Sequence, residues 1–209
     1  KAVIITDMGT SFTCTMQTFK TKLGQRLSTS SGHASMGFGL PGAIGACIGN
    51  GRQDTLCISG DGGLQMNIQE LQTIVHYNLP IKLFVLNNKG YLTIKATQQN
   101  HFGRFVGAEQ SSGVTCPDII KIATAYGLPN IRIANTKELN FKIDSVLQAI
   151  GPMVCEIMME ENQPLIPRVS SLKKPDGTII SKPIEDLYPF LSREEFQENM
   201  IVDSTEILT

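Results

Sequence analysis

The stretch Thr55-Leu56-Cys57-Ile58-Ser59-Gly60-Asp61-Gly62-Gly63-Leu64 decides the fold. Five residues suited to a buried strand run into a glycine-rich turn, and Leu64, Ile68, Leu71, Ile74 and Val75 then recur at helical spacing over residues 64–78. A strand that turns directly into a helix is the repeating unit of an α/β domain. The same kind of apolar run recurs at 2–6, 81–86, 130–133 and 153–157, mostly without alternation, as in parallel strands covered on both faces. Helices are expected between them at 117–126, with Pro117 in its first turn, and at 136–150, with Thr136 as its cap and Gly151 as its stop. The expected fold class is therefore α/β: a doubly wound, mostly parallel sheet with helices on both faces.

In such sheets ligands bind at the carboxyl ends of the strands. Gly60, Gly62 and Gly63 let the backbone approach a ligand closely, and the free N–H groups of the following helix favour a phosphate. Asp61 would repel that phosphate unless a cation lay between them, and Mg2+ bridges carboxylate and phosphate in this way. The strand 81–86 ends in Asn87-Asn88-Lys89-Gly90-Tyr91, so an asparagine side chain could reach the same cation from a neighbouring strand end. Asp-Gly and Asn-Asn are also common turn pairs, and two unrelated loops is the competing reading.

Composition bounds the rest. The chain has 209 residues, a formal charge of −1, 41 % hydrophobic and 18 % charged residues. Those values fit a folded protein and offer no cationic surface for nucleic acid or an anionic membrane. Apolar runs such as 83–86 are far too short to span a bilayer. Cys14, Cys47, Cys57, Cys116 and Cys155 are odd in number and lack C-x-x-C spacing, so reduced, largely buried thiols and a cytoplasmic location are expected. Residues 1–165 read as one domain. Residues 166–209, punctuated by Pro167, Pro175, Pro183 and Pro189, read as a carboxy-terminal tail serving as a lid or a subunit contact, with a turn at 173–177 and a short helix at 192–200.

A GDG triplet followed after residues 63–86 by an Asn pair resembles the signature of thiamine-diphosphate-dependent enzymes. Gly32-His33-Ala34-Ser35-Met36-Gly37-Phe38-Gly39-Leu40-Pro41-Gly42 and Gly60 to Leu71, reading GDGGLQMNIQEL, are similar to the acetolactate-synthase group. The resemblance implies a carboxy-terminal diphosphate-binding domain with thiamine diphosphate and Mg2+ as cofactors. It implies Asp61 and Asn88 as side-chain metal ligands and Gly90 as a carbonyl ligand. Gly60 lies in the same turn, with Gly62 and Gly63 giving backbone N–H groups to the diphosphate. Ala34 would accept from the aminopyrimidine through its carbonyl, and Met36 would hold the cofactor bent. Family members decarboxylate a 2-oxo acid, here expected to be pyruvate, and pass the remaining fragment to a proton or an acceptor carbonyl. The activating glutamate belongs to a separate pyrimidine-binding domain of the subunit or its dimer mate. No catalytic base is therefore nominated in this chain, Glu70 included. The chain is expected to be one piece of a larger homo-oligomeric enzyme and inactive alone.

Two alternatives stand beside that expectation. Acetolactate synthases usually carry a tryptophan soon after the Asn pair, and this chain has no Trp, which leaves room for a carboligase on a sugar acceptor in polysaccharide synthesis. Gly37-Phe38-Gly39-Leu40-Pro41-Gly42 also fits G-x-G-x-x-G, the fingerprint of an NAD-dependent oxidoreductase. That fingerprint needs a strand directly before Gly37, where the sequence offers the polar run 28–35. His33, Gln98, His101 and Arg104 are minor candidates for the substrate side.

Overall fold

The computed structural model describes residues 2–202. Two compact units divide between Gln163 and Pro164. The first holds β1 (Val3–Thr6), α1 (Thr10–Thr18), β2 (Arg26–Ser28), α2 (Gly39–Gly49), β3 (Thr55–Gly60), α3 (Asp61–Leu64), a 3-10 turn (Gln65–Glu70), α4 (Leu71–Tyr77), β4 (Ile81–Asn87), α5 (Leu92–Phe102), α6 (Ile119–Ala125), β5 (Asn130–Ile133), α7 (Thr136–Gln148) and β6 (Met153–Met158).

The six strands form one sheet in the order β2-β1-β3-β4-β6-β5, and every pairing is parallel. Alternating side chains bury both faces. Ile81, Leu83 and Val85 join a cluster with Leu40, Ala43 and Cys47 of α2, Leu71 and Ile74 of α4, and Ile119 and Ala123 of α6. Phe84 and Cys155 turn the other way, against Val146, Leu139 and Ile143 of α7. Helices thus cover both faces, as the uninterrupted apolar strands require. The chain leaves β1 toward β2 on one side, and β3 then leads to β4 on the other. The carboxyl ends of β1 and β3 therefore flank the point where the winding direction reverses, the usual place for a ligand in such sheets.

Several local expectations are corrected. The single helix at 64–78 is broken, because Asn67 leaves helical geometry (φ −140°, ψ 31°). Its side-chain amide donates to the Gly37 carbonyl at 2.8 Å, so the break ties the helix to the segment carrying Met36. Pro117 lies outside α6, whose cap is Asp118 accepting from the Lys121 N–H. The cap of α7 is Asn135, which accepts from the Lys137 and Glu138 N–H groups, and not Thr136. Strand β2 and helices α1, α2 and α5 carried no clear pattern: β2 has three residues, and α2 is rich in glycine.

The second unit, beginning at Pro164, contains the antiparallel pair β7 (Ser171–Lys173) and β8 (Ile179–Ser181), joined through the Lys-Pro-Asp-Gly turn, and α8 (Arg193–Glu198) capped by Ser192. Asp186, almost fully buried, anchors it. The Arg193 guanidinium donates to both carboxylate oxygens at 2.9 Å, and Lys182 lies 3.2 Å away. Those partners, Arg193 first, hold the Asp186 carboxyl below the usual carboxylate range. Among the described residues no helix is long and apolar enough to cross a membrane.

Candidate functional site

A cavity of about 340 Å³ opens at the carboxyl ends of β1, β3 and β4. Ala34, Met36, Gly60, Asp61, Gly62, Gly63, Asn88 and Gly90 all line it. The eight residues expected to bind cofactor or metal are thus brought to one place, although 56 positions separate Ala34 from Gly90. His33, Gln98, His101 and Arg104 are not among its lining residues. Gln98 instead closes the loop after α5, exchanging two 2.9 Å hydrogen bonds with the Val106 backbone. Glu70 accepts from Thr73 Oγ1 at the start of α4, a structural task.

Asp61 sits in the first turn after β3 with only 1 % of its surface exposed. Its Oδ2 accepts from the Gly90 N–H at 3.1 Å, which fastens the turn after β3 to the turn after β4. Among the described residues no Lys or Arg pairs with it. Burial raises the carboxyl above its ordinary value, against the pull of the Gly62, Gly90 and Lys89 N–H groups and the Cys116 thiol. The same burial, then the Asp61 charge, pushes Cys116 up to about 12. A carboxylate buried among neutral donors is costly unless a cation joins it.

Asn88 faces the same cavity from the turn after β4. Its amide nitrogen donates to Thr10 Oγ1 at 3.3 Å, while its buried Oδ1 accepts nothing among the described residues. A buried acceptor without a donor is rare and calls for an explanation. An anionic carboxylate and an orphan amide oxygen on one cavity form a hard-oxygen donor pair of the type Mg2+ takes. No group of three His, Cys, Asp or Glu side chains is gathered as a metal site among the described residues.

The glycines fit a cradle pressed tight from behind. A Cβ on Gly62 would lie 2.3 Å from the Tyr91 ring, and one on Gly63 would lie 2.6 Å from Asp7 Oδ2. A Cβ on Gly90 would meet the Ala108 carbonyl oxygen at 2.5 Å. The opposite wall is equally constrained. Ala34 adopts φ 54°, unusual for a residue with a side chain, and Gly37 follows at φ 86°.

Sequence reasoning missed the third wall. Met8 and Gly9 line the cavity from the β1–α1 turn, Thr10, Phe12 and Thr13 from the start of α1, and Tyr91 to Ile94 from the start of α5. It also missed Asp7, fully buried behind them, which accepts from Met8 N–H at 2.8 Å, Gly37 N–H at 2.9 Å and Ser59 Oγ at 2.9 Å. Asp7 thereby ties the three walls together. No local signal marks it: Asp7 ends the first apolar run, before Met8 and Gly9, and its partners Gly37 and Ser59 lie 30 and 52 positions away. The dinucleotide fingerprint lacks its strand, since β2 ends at Ser28 and Gly39 already opens α2.

The family described as "Thiamine pyrophosphate enzyme, C-terminal TPP binding domain" matches residues 7–157. An acetolactate synthase large subunit of Cyanidium caldarium is 36 % identical over 171 residues, 81 % of this chain and 29 % of that protein. That of Pyropia yezoensis is 34 % identical over 184 residues, 87 % of this chain and 31 % of the relative. Acetolactate synthase 2, chloroplastic, of Zea mays is 32 % identical over 177 residues, 82 % and 28 % respectively. The chain thus spans less than a third of the length of these relatives. The matches favour neither the sugar-acceptor nor the NAD-dependent alternative.

Proposed function

Because this chain belongs to the thiamine pyrophosphate enzymes, as their C-terminal TPP-binding domain, we propose that it holds thiamine diphosphate through Mg2+ for decarboxylation and carboligation of a 2-oxo acid. The observation that carries this reading is the meeting on one cavity of the buried Asp61, which pairs with no Lys or Arg among the described residues, and the Asn88 Oδ1, which accepts no hydrogen bond among them. In this reading Asp61 Oδ and Asn88 Oδ1 hold the metal, with the Gly90 carbonyl as a third ligand. The Gly62 and Gly63 N–H groups face the diphosphate. The Ala34 carbonyl accepts from the aminopyrimidine, and Met36 supports the cofactor's bend from the wall that Asn67 and Asp7 hold in place. When bound, thiamine diphosphate supplies a carbon nucleophile toward a 2-oxo carbonyl and an electron sink for loss of carbon dioxide.

Pyruvate is the proposed donor, since the relatives are acetolactate synthases. A pyrimidine-binding domain, of the same subunit or of a dimer mate, would bring the activating glutamate, and a homo-oligomer belongs to the same reading. We place the protein in the cytoplasm, in keeping with five free cysteines, three of them buried. We assign residues 1–165 to cofactor binding and residues 166–209 to a tail acting as a lid or subunit contact.

The test is direct. Mixed with pyruvate, thiamine diphosphate and Mg2+, the chain alone is expected to release no carbon dioxide above a protein-free control, although it binds the cofactor. Sustained turnover by the chain alone would contradict the claim that the activating group lies elsewhere.

A further inference from the structure

The two asparagines after β4 do different work. Asn88 faces the cofactor cavity, whereas Asn87 lines a second cavity of about 340 Å³, together with Cys116, Asp118, Arg132 and Glu156. Asn87 is 8 % exposed. Its amide nitrogen donates to Glu156 Oε1 at 2.6 Å, and its Oδ1 accepts from the Lys89 N–H at 3.0 Å. That second bond helps hold Lys89 left-handed (φ 61°), one residue before the Gly90 N–H that reaches Asp61.

Glu156 lies near the carboxyl end of β6 with none of its surface exposed. Its Oε2 accepts from Arg132 Nε at 2.5 Å, and a terminal nitrogen of Arg132 lies 2.9 Å from Asp118 Oδ1. Asp118 in turn caps α6. The pair is buried on one side only: Glu156 is enclosed, while the Arg132 side chain is 40 % exposed, and an ion pair open to water on one side contributes little to stability. Stability alone therefore does not account for a charged group beneath the sheet's end. What Glu156 does provide is a fixed acceptor for Asn87, and through Asn87 a fixed path for residues 88–90.

We propose that Glu156 is a positioning residue for the metal-binding loop, acting through Asn87 to set where Asn88 and Gly90 present their oxygens. The proposal rests on the cofactor reading above. Outer partners of metal ligands typically contribute about 10–100-fold to metal affinity.

Mn2+ can replace Mg2+ as a spectroscopic probe. With thiamine diphosphate in excess, the Mn2+ concentration giving half-saturation of the 209-residue chain is read by electron paramagnetic resonance. Asn87→Ala and Glu156→Ala are expected to raise it by about tenfold or more, while Glu156→Gln, which keeps an oxygen for Asn87, stays within about threefold of wild type. The thermal midpoint of each metal-free variant is measured alongside. If Glu156→Ala does not fold, Asn87→Ala and Glu156→Gln carry the test. Wild-type Mn2+ midpoints in Asn87→Ala, or a Glu156→Gln midpoint raised tenfold, would overturn the positioning role. A wild-type chain that takes up no Mn2+ with thiamine diphosphate would overturn the cofactor reading and this proposal with it.

Discussion

Asp61→Ala is expected to lower Mg2+-dependent affinity for thiamine diphosphate by more than about 100-fold, since loss of mere outer partners already costs about 10–100-fold. Asp61 brings the full negative charge among the proposed ligands; Asn88 Oδ1 and the Gly90 carbonyl are neutral dipoles. Without the carboxylate the cavity loses its attraction for a divalent ion, and the diphosphate loses its bridge. The metal-free chain should respond differently. Asp61 is buried with no Lys or Arg partner among the described residues, and burial raises its carboxyl above the ordinary range, so removing it relieves a cost as well as breaking the bond from Gly90. The thermal midpoint without ligand should therefore stay near wild type. Ligand at about 100 times its dissociation constant stabilises a folded protein by about 2.7 kcal/mol, and Asp61→Ala should forfeit that gain. Calorimetry and melting curves together check both halves. A variant that kept wild-type affinity would remove Asp61 from the site.

Gly63→Ala is the second large effect, and it acts by shape. The added Cβ would stand 2.6 Å from Asp7 Oδ2. That carboxylate cannot step aside cheaply, because Met8, Gly37 and Ser59 hold it from three directions. Overpacking of this sort costs about 1–3 kcal/mol. Moving Asp7 would also release Gly37 and with it the segment bearing Met36, so cofactor affinity should fall with stability. Gly45→Ala is the matched control: it lies inside α2, has nothing within 4 Å of the new Cβ, and should be neutral or stabilising by up to about 1 kcal/mol. Urea unfolding of both variants measures the contrast. Equal, small effects at the two positions would mean that Asp7 does not brace the cradle.

Much of this was legible in the chain because two different periodicities met at Gly60. Neighbouring strand residues such as Phe84 and Val85 bury on opposite faces and so announce the strand by composition, and the GDG and Asn-Asn motifs mark the strand ends where ligands gather. What was hidden depended on tertiary contact. The break at Asn67 follows from a bond to Gly37, 30 positions away in sequence, and nothing local in GLQMNIQEL signals it. Helix α2 hides behind glycines, whose cost in a helix is offset by close packing, as at Gly39 against Asp7. Asp7 and Glu156 were illegible for the same reason: each reads as an ordinary acidic residue, and its role appears only when the partners converge from distant segments.

The central claim is that this domain grips thiamine diphosphate through a metal held by Asp61 and Asn88. Isothermal titration of thiamine diphosphate into the chain, once with Mg2+ and once with EDTA, tests it most directly. Saturable binding with Mg2+ and none with EDTA is the expected result. Equal binding in both, or none in either, would contradict it.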